Sequence, residues 1–436
     1  MDQFTSVAVF LAVLFVLLGS GVWVGLALLG VAFVGMEIIA DRPFVGGSMI
    51  NNIWGASSSW TLTALPLFIW MGEILFRTRL SEDMFKGLSP WVARLPGGLV
   101  HTNIVGCTVF AAVSGSSAAT LTTVGRMSIP ELRARQYPEK VVIGTLAGAA
   151  TLGLMIPPSL VLIVYGVTLN ESIRELFLAG VMPGIILASM FMAYVAVYSR
   201  LSKDWHPTPE PRMSFGEKLQ NSLYLVPVIL LVLLVIGSMY AGIATATEAA
   251  AFGVVGALLL AAFQGSLNPT SFAQSLMGAV RTSAMIALIL AGAAFLTLAM
   301  GFTGLPRSLA DWIGGFELTR TQLLLALLVF YIILGCFLDG ISAVVLTMAI
   351  VEPMIREAGI DVIWFGIFVT VVIEMAQITP PIGFNLFVMQ GLTNLDMGYI
   401  ARAALPMFLI MVVMALLLMA FPEIATWLPD TLRARA

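Results

Sequence analysis

Two sets of hydroxyls, glycines and paired prolines interrupt a chain that is otherwise 59% hydrophobic. Ser114, Gly115, Ser116 and Ser117 break one apolar stretch, and Gly153, Ile156, Pro157, Pro158 and Ser159 break the next. The second half repeats the order, with Asp339, Gly340 and Ser342 followed by Thr379, Pro380, Pro381 and Gly383. A Pro pair removes two backbone N–H donors and disfavours the helical state of the residue before it. In hydrocarbon the freed carbonyls are costly unless protein, ions or water satisfy them. Unwound carbonyls beside Ser and Thr oxygens suit a hard cation of low charge such as Na⁺. Half-helix N-termini present N–H groups and positive dipole ends to an anion.

Two cation sites follow from these types and spacings. The first joins Ser114, Gly115, Ser116 and Ser117 to the carbonyls from Gly153 to Ile156. The second joins Asp339, Gly340 and Ser342 to Thr379 and the carbonyls before Pro380. Asp339 is a carboxylate expected deep in the membrane, which by default marks a functional site. Candidates for holding an anion are Ser117, Thr120, Pro157, Pro158, Ser159, Pro380, Pro381, Gly383 and Asn385. Asn385 and Gln390 could equally bond a polar substrate or a neighbouring helix. A lone Ser or Gly here would more simply let helices pack closely; two whole constellations argue against that. Glu374 either relays protons or pairs inside the scaffold. Glu248 is expected to pair structurally with an Arg, and Glu73 to end its span at the interface.

The elements that position these groups are membrane helices. Charged residues are 10% of the chain and the mean hydropathy is +1.00, against about a quarter charged in soluble domains. Apolar runs recur from end to end, giving about 11 spans able to cross a hydrocarbon core of ~30 Å. Net charge is −3, so nothing marks a nucleic-acid partner. Cys107 and Cys336 lie in apolar segments and read as buried thiols. His101 and His206 have no metal-ligand spacing, no Walker A sequence is present, and no cofactor is expected. Asp2 and the lack of a basic n-region make the first span a retained helix. The run 4–39 is one long bent helix or two short ones, and 77–94 reads as an amphipathic helix lying on the membrane.

Pro157 and Pro380 are 223 residues apart, as are Pro183 and Pro406, while Gly115 and Gly340 are 225 apart. This points to an internal duplication of hairpin, broken helix and full span. Arg77, Arg79, Lys86 and Arg94 precede the first hairpin, and Arg126, Arg133, Arg135 and Lys140 follow it. Only Arg307, Arg320 and Arg356 flank the second. By the positive-inside rule the first hairpin enters from the cytoplasm and the second from outside. The loop with Arg200, Lys203, Arg212 and Lys218 is also assigned to the cytoplasm. The expected fold is thus an all-α integral membrane protein of about 11 transmembrane helices plus two re-entrant helical hairpins, arranged as an inverted repeat.

These segments resemble the large membrane subunit of a tripartite ATP-independent periplasmic (TRAP) transporter over nearly the whole chain. The resemblance rests on the stretch from Leu65 to Glu73, on Ser114 to Thr120, on Leu154 to Ser159, on Thr247 to Ala250 and on Thr379 to Gly383. It implies an elevator-type ion-transporter-like fold, a small four-helix membrane subunit, a periplasmic substrate-binding protein, a small organic anion as substrate and a Na⁺ gradient as driving force. It also implies a bacterial inner membrane and no enzymatic activity. On that pattern residues 1–95 form scaffold helices and a surface arm. Residues 96–198 form the first repeat of the transport unit, 199–222 a cytoplasmic loop, 223–304 further scaffold, and 305–436 the second repeat with the last helix. The expected function is sodium-coupled import of a carboxylate, with a proton-coupled organic-acid transporter as the alternative. A membrane enzyme would need clustered His, Cys or acidic ligands, which this sequence lacks.

Overall fold

The computed structural model describes residues 3–39, 44–209, 213–304, 315, 318–381 and 383–433. Among them every regular element is helical. Among the described residues five helices are long and apolar enough to cross a membrane: Ile173–Leu201, Phe215–Tyr240, Ala246–Phe263, Pro269–Thr303 and Met397–Ala420. Gly98–Ser114, Leu160–Leu169, Arg320–Gly335 and Val362–Gln377 are apolar but shorter, because tips and breaks divide the runs they come from. The N-terminal run resolves into two helices, Gln3–Gly19 and Val24–Val34, parted where Gly21 takes φ 82.

Two boundaries differ from the sequence reading. The stretch expected as a loop over 199–222 is shorter, because Ile173–Leu201 runs further and Phe215–Ser222 is already helical. A capping box between Ser214 and Glu217 starts that helix early. The second tip also bends elsewhere. Gly340 is the first residue of the helix Gly340–Glu357, and the turn lies before it. Arg212, Arg307 and the boundary at 305 fall outside the described residues.

The two halves share more landmarks than the sequence suggested. Ser117–Ala134 and Gly340–Glu357 each carry an internal proline, Pro130 and Pro353. Glu139–Thr151 and Val362–Gln377 each lead into a break, where the Pro157–Pro158 and Pro380–Pro381 bonds are both cis. Leu160–Leu169 and Phe384–Thr393 follow, and end on left-handed Asn170 and Asn394. Short polar side chains cap the helix starts: Ser116, Ser159 and Ser172 in the first half, Asp339, Asp361 and Asp396 in the second. Each accepts hydrogen bonds from N–H groups that the first helical turn leaves unpaired.

Small residues let the helices close on one another. Val24–Val34 and Ala64–Leu75 pack against Pro269–Thr303, where a Cβ on Gly292 would stand 2.5 Å from the carbonyl oxygen of Gly25. His101–Ser114, Ser117–Ala134 and Glu139–Thr151 pack together, and Glu139–Thr151 also lies along Met397–Ala420. That last contact uses Gly144 and Gly148, one turn apart, against the Ala403 backbone and the Met407 side chain. Such small-residue faces allow backbones to approach closely in membranes. Gly144→Val would force side-chain carbons into the Ala403 carbonyl, an overpacking cost of about 1–3 kcal/mol. The melting midpoint of the detergent-solubilised protein should fall; an unchanged midpoint would mean the two helices are not held at this distance.

Candidate functional site

The first tip is built on a two-residue turn. His101–Ser114 ends at Gly115, whose φ of 62 is the left-handed conformation that glycine adopts without steric cost. Ser116 then caps Ser117–Ala134, accepting from the N–H of Ala119. The tip lies against the first break backbone to backbone. The N–H of Leu160 donates to the Gly115 carbonyl at 3.4 Å. A Cβ on Gly115 would stand 2.6 Å from the Pro158 carbonyl oxygen, and one on Gly153 would stand 2.8 Å from that of Ser116. So Ser114, Gly115, Ser116, Ser117, Gly153, Pro158 and their neighbours do come together.

The hydroxyls there already have partners. Ser114 Oγ lies 2.9 Å from Thr120 Oγ1, and Thr120 Oγ1 donates to the Ser116 carbonyl at 2.8 Å. Pro158 has no N–H for the Leu154 carbonyl, and the Ser159 hydroxyl donates to that oxygen instead. The same Ser159 oxygen caps the next helix by accepting from the N–H of Leu162. Ser159 was expected to touch an anion; here its hydroxyl is committed within the break, beside buried Pro157. The carbonyls of Gly153 and Ile156 accept no hydrogen bond among the described residues.

The second constellation is arranged differently. Asp339 Oδ2 accepts from the N–H groups of Ile341 and Ser342 at 3.1 and 3.2 Å, and the Ser342 hydroxyl donates to Oδ1. Its carboxylate is therefore a helix cap. Thr379 Oγ1 donates back to the Met375 carbonyl at 2.7 Å, and no hydrogen bond joins it to Asp339 or Ser342. The tip still reaches the break: Cys336 Sγ donates to the Pro380 carbonyl at 3.3 Å, and Gly340 packs against Ile373 and the Gln377 amide. The carbonyls of Gln377, Ile378 and Thr379 accept no hydrogen bond among the described residues. Gly383 sits over two of them, its Cβ position 2.8 Å from the Thr379 oxygen and 3.1 Å from that of Gln377. Break one is buried, whereas Pro380 and Pro381 are exposed.

One hydrogen-bonded pair ties the halves together. Ser117 Oγ donates to Asn385 Oδ1 at 2.8 Å, and Asn385 Nδ2 also reaches the Ala147 carbonyl at 3.4 Å. Both side chains are buried. The matching position in the other half holds an apolar contact, Gly340 against Val161. Asn385 thus serves a neighbouring helix here, one of the two roles its position allowed.

Several residues went unmarked in the sequence. Gln377 is 6% exposed and its Oε1 has no partner; an amide just before a Pro pair was the available signal. A cavity of about 290 Å³ lies beside the first tip, lined by Ser114, Ser116, Thr122, Gly72, Glu73 and Phe76 among others. Only the pattern in space puts the last three there. Glu73 is ion-paired to Arg77 at 2.5 Å. Glu248 forms a capping box with Thr245 and is held by its own helix start, not by an Arg. Glu374 is fully buried; Thr151 is its polar neighbour, but that hydroxyl donates to the Gly148 carbonyl and closes no hydrogen bond to either carboxyl oxygen among the described residues.

Residues 11–424 match the family model described as Tripartite ATP-independent periplasmic transporter, DctM component. The chain is 30% identical over 398 residues to the C4-dicarboxylate TRAP transporter large permease protein of Pseudomonas aeruginosa, covering 91% of this chain and 92% of that one. It is 28% identical to the ectoine/5-hydroxyectoine TRAP transporter large permease protein of Ruegeria pomeroyi, over 95% of this chain and 96% of that one. The crystal structure of the Alcanivorax borkumensis YdaH transporter has a similar fold, with a TM-score of 0.65 at 14% identity over 87% of this chain and 88% of that one. With apolar helices throughout, this is a multi-pass membrane protein, and the chain belongs to the TRAP transporter family as a large permease subunit.

Proposed function

We propose that this chain imports a small organic anion across the bacterial inner membrane, driven by the Na⁺ gradient. A separate small membrane subunit and a periplasmic binding protein complete the system, the latter delivering the substrate. The observation that carries the reading is the pair of breaks whose Gly153, Ile156, Gln377, Ile378 and Thr379 carbonyls accept no hydrogen bond among the described residues, beside polar tips, in a TRAP large permease. Those oxygens suit Na⁺. Bound cations order the tips and offset the charge of an anion held at the half-helix ends. Substrate then binds tightly only with cations present, and that differential affinity couples the two fluxes. Both tips and both breaks move as one unit against the remaining helices, in the manner of an elevator, and the Ser117–Asn385 pair supports their moving together. Relatives named for a C4-dicarboxylate and for ectoine favour a carboxylate-bearing solute without selecting one. A proton-coupled mechanism is favoured by one observation, the fully buried carboxyl of Glu374, which no cation pairs among the described residues.

Uptake of radiolabelled organic acids into proteoliposomes holding this chain, its small subunit and its binding protein tests the proposal. Uptake should require an inward Na⁺ gradient and the binding protein; uptake that follows a pH gradient and ignores Na⁺ would select Glu374 instead. Asp339→Asn keeps the cap but removes the charge, so the helix start should survive while the Na⁺ concentration for half-maximal uptake rises about tenfold, a 1.4 kcal/mol loss. Unchanged Na⁺ dependence would leave Asp339 with the cap alone. Asn385→Ala removes the bridge to Ser117 and should lower uptake severalfold with folded protein still present; wild-type uptake would detach the two halves.

A further inference from the structure

Phe76 stands at the junction of two cavities. Its ring lines the 290 Å³ space beside the first tip and also a larger space of about 830 Å³, lined by Thr123, Arg126, Met127, Lys86 and Ser89 among others. The larger space lies between the arm helix Leu80–Val92 and the second arm of the first tip, Ser117–Ala134. Two guanidinium groups flank the Phe76 ring, Arg77 and Arg126, each 5.8 Å from its centre. Arg77 is occupied: it bonds the Glu73 carboxylate and carbonyl and the Gln274 carbonyl. No carboxylate lies within ion-pairing distance of Arg126 among the described residues. Nearby Glu131, which also lines the space, is taken by Arg135.

A second group faces the same space. Thr123 is 7% exposed, and its hydroxyl has no hydrogen-bond partner among the described residues. Thr123 and Arg126 are three residues apart on one helix, so they share a face. A buried hydroxyl without a partner costs free energy unless a ligand or water satisfies it. A guanidinium with no carboxylate partner among the described residues supplies charge and a planar donor fork that fits a carboxylate or sulfonate.

We propose that Thr123 and Arg126, behind the Phe76 ring, form a second anion subsite that receives the carboxylate of the transported solute as it leaves the tip cavity. The subsite deepens the import reading and rests on it for the identity of its occupant. Loop charge assigns this face to the cytoplasm, so the subsite lies on the exit side. The Phe76 ring partitions the tip cavity from the exit space, and the Arg126 stack holds the ring in place until an anion draws the guanidinium away.

Charge-selective thiol labelling of the full chain tests this without knowing the substrate. Met127→Cys, on a background with Cys107 and Cys336 replaced by Ala, should favour the anionic methanethiosulfonate ethylsulfonate over its trimethylammonium analogue by about tenfold, each rate taken relative to that with a free thiol, because Lys86, Arg126 and Arg135 outnumber Glu82 and Glu131 in the lining and an excess of positive charge concentrates anions. Arg126→Gln should abolish the preference and Thr123→Val should reduce it. Ser89→Cys, across the same space, serves as a second reporter if the first disturbs folding. Equal relative rates for the two reagents, or a preference that survives Arg126→Gln, would overturn the subsite. The labelling does not depend on Na⁺-driven uptake. Selective labelling in a chain without Na⁺-dependent uptake would keep the subsite and reject the coupling, and the reverse result would do the opposite.

Discussion

A carbonyl that loses its helical donor inside a membrane protein must be satisfied by something other than bulk water, at a penalty of several kcal/mol otherwise. This chain creates that problem twice, with Pro157–Pro158 and Pro380–Pro381. The surrounding architecture can be understood as what those breaks demand. Each is preceded by a helix pair whose tip reaches back to it, and each is followed by a short helix that ends on a left-handed Asn. The full-length helices enclose this assembly, and glycine faces bring the nearest of them to backbone contact. Without the breaks there would be no reason for the tips to lie where they do.

The two halves answer the demand differently. In the first, the Ser159 hydroxyl takes the place of the missing donor to Leu154 and the break is buried. In the second, the matching carbonyl of Gln377 has no such donor among the described residues, and its prolines are exposed. Ser117 meets Asn385 across the halves, while the matching pair is Gly340 and Val161. Thr151 in one half corresponds to Glu374 in the other. A duplicated scaffold has thus become asymmetric in polarity.

Much of this was legible in the sequence because membrane helices leave few ways to interpret a Pro pair or a Gly-Ser cluster. The offset of 223 residues located both breaks, and a tip does lie against each of them. What was not legible depended on local capping or on contacts distant in sequence. Gly340 looks like a turn residue, yet Asp339 caps the helix before it and makes it helical. Ser159 stands out by its place beside the prolines, and its hydroxyl's bond to the Leu154 carbonyl shows only in space. Glu248 looks like the partner of a cation, yet Thr245 captures it. Phe76, Thr123 and Arg126 carry no local motif, and only the packing of the arm helix against the first tip gives them a common space. The Arg126 position could be read for topology, but not for its stack on Phe76 or its lack of a carboxylate partner among the described residues.

The central claim is that the carbonyls freed at the breaks hold Na⁺. Melting of the purified subunit complex in detergent, across a series of NaCl concentrations held at constant ionic strength with choline chloride, addresses it most directly. A cation that binds the folded state alone raises its stability with the logarithm of concentration above the dissociation constant. The account predicts a midpoint that climbs with Na⁺ in the wild type, climbs less in Asp339→Asn, and does not move when K⁺ replaces Na⁺. A midpoint indifferent to Na⁺ would contradict it.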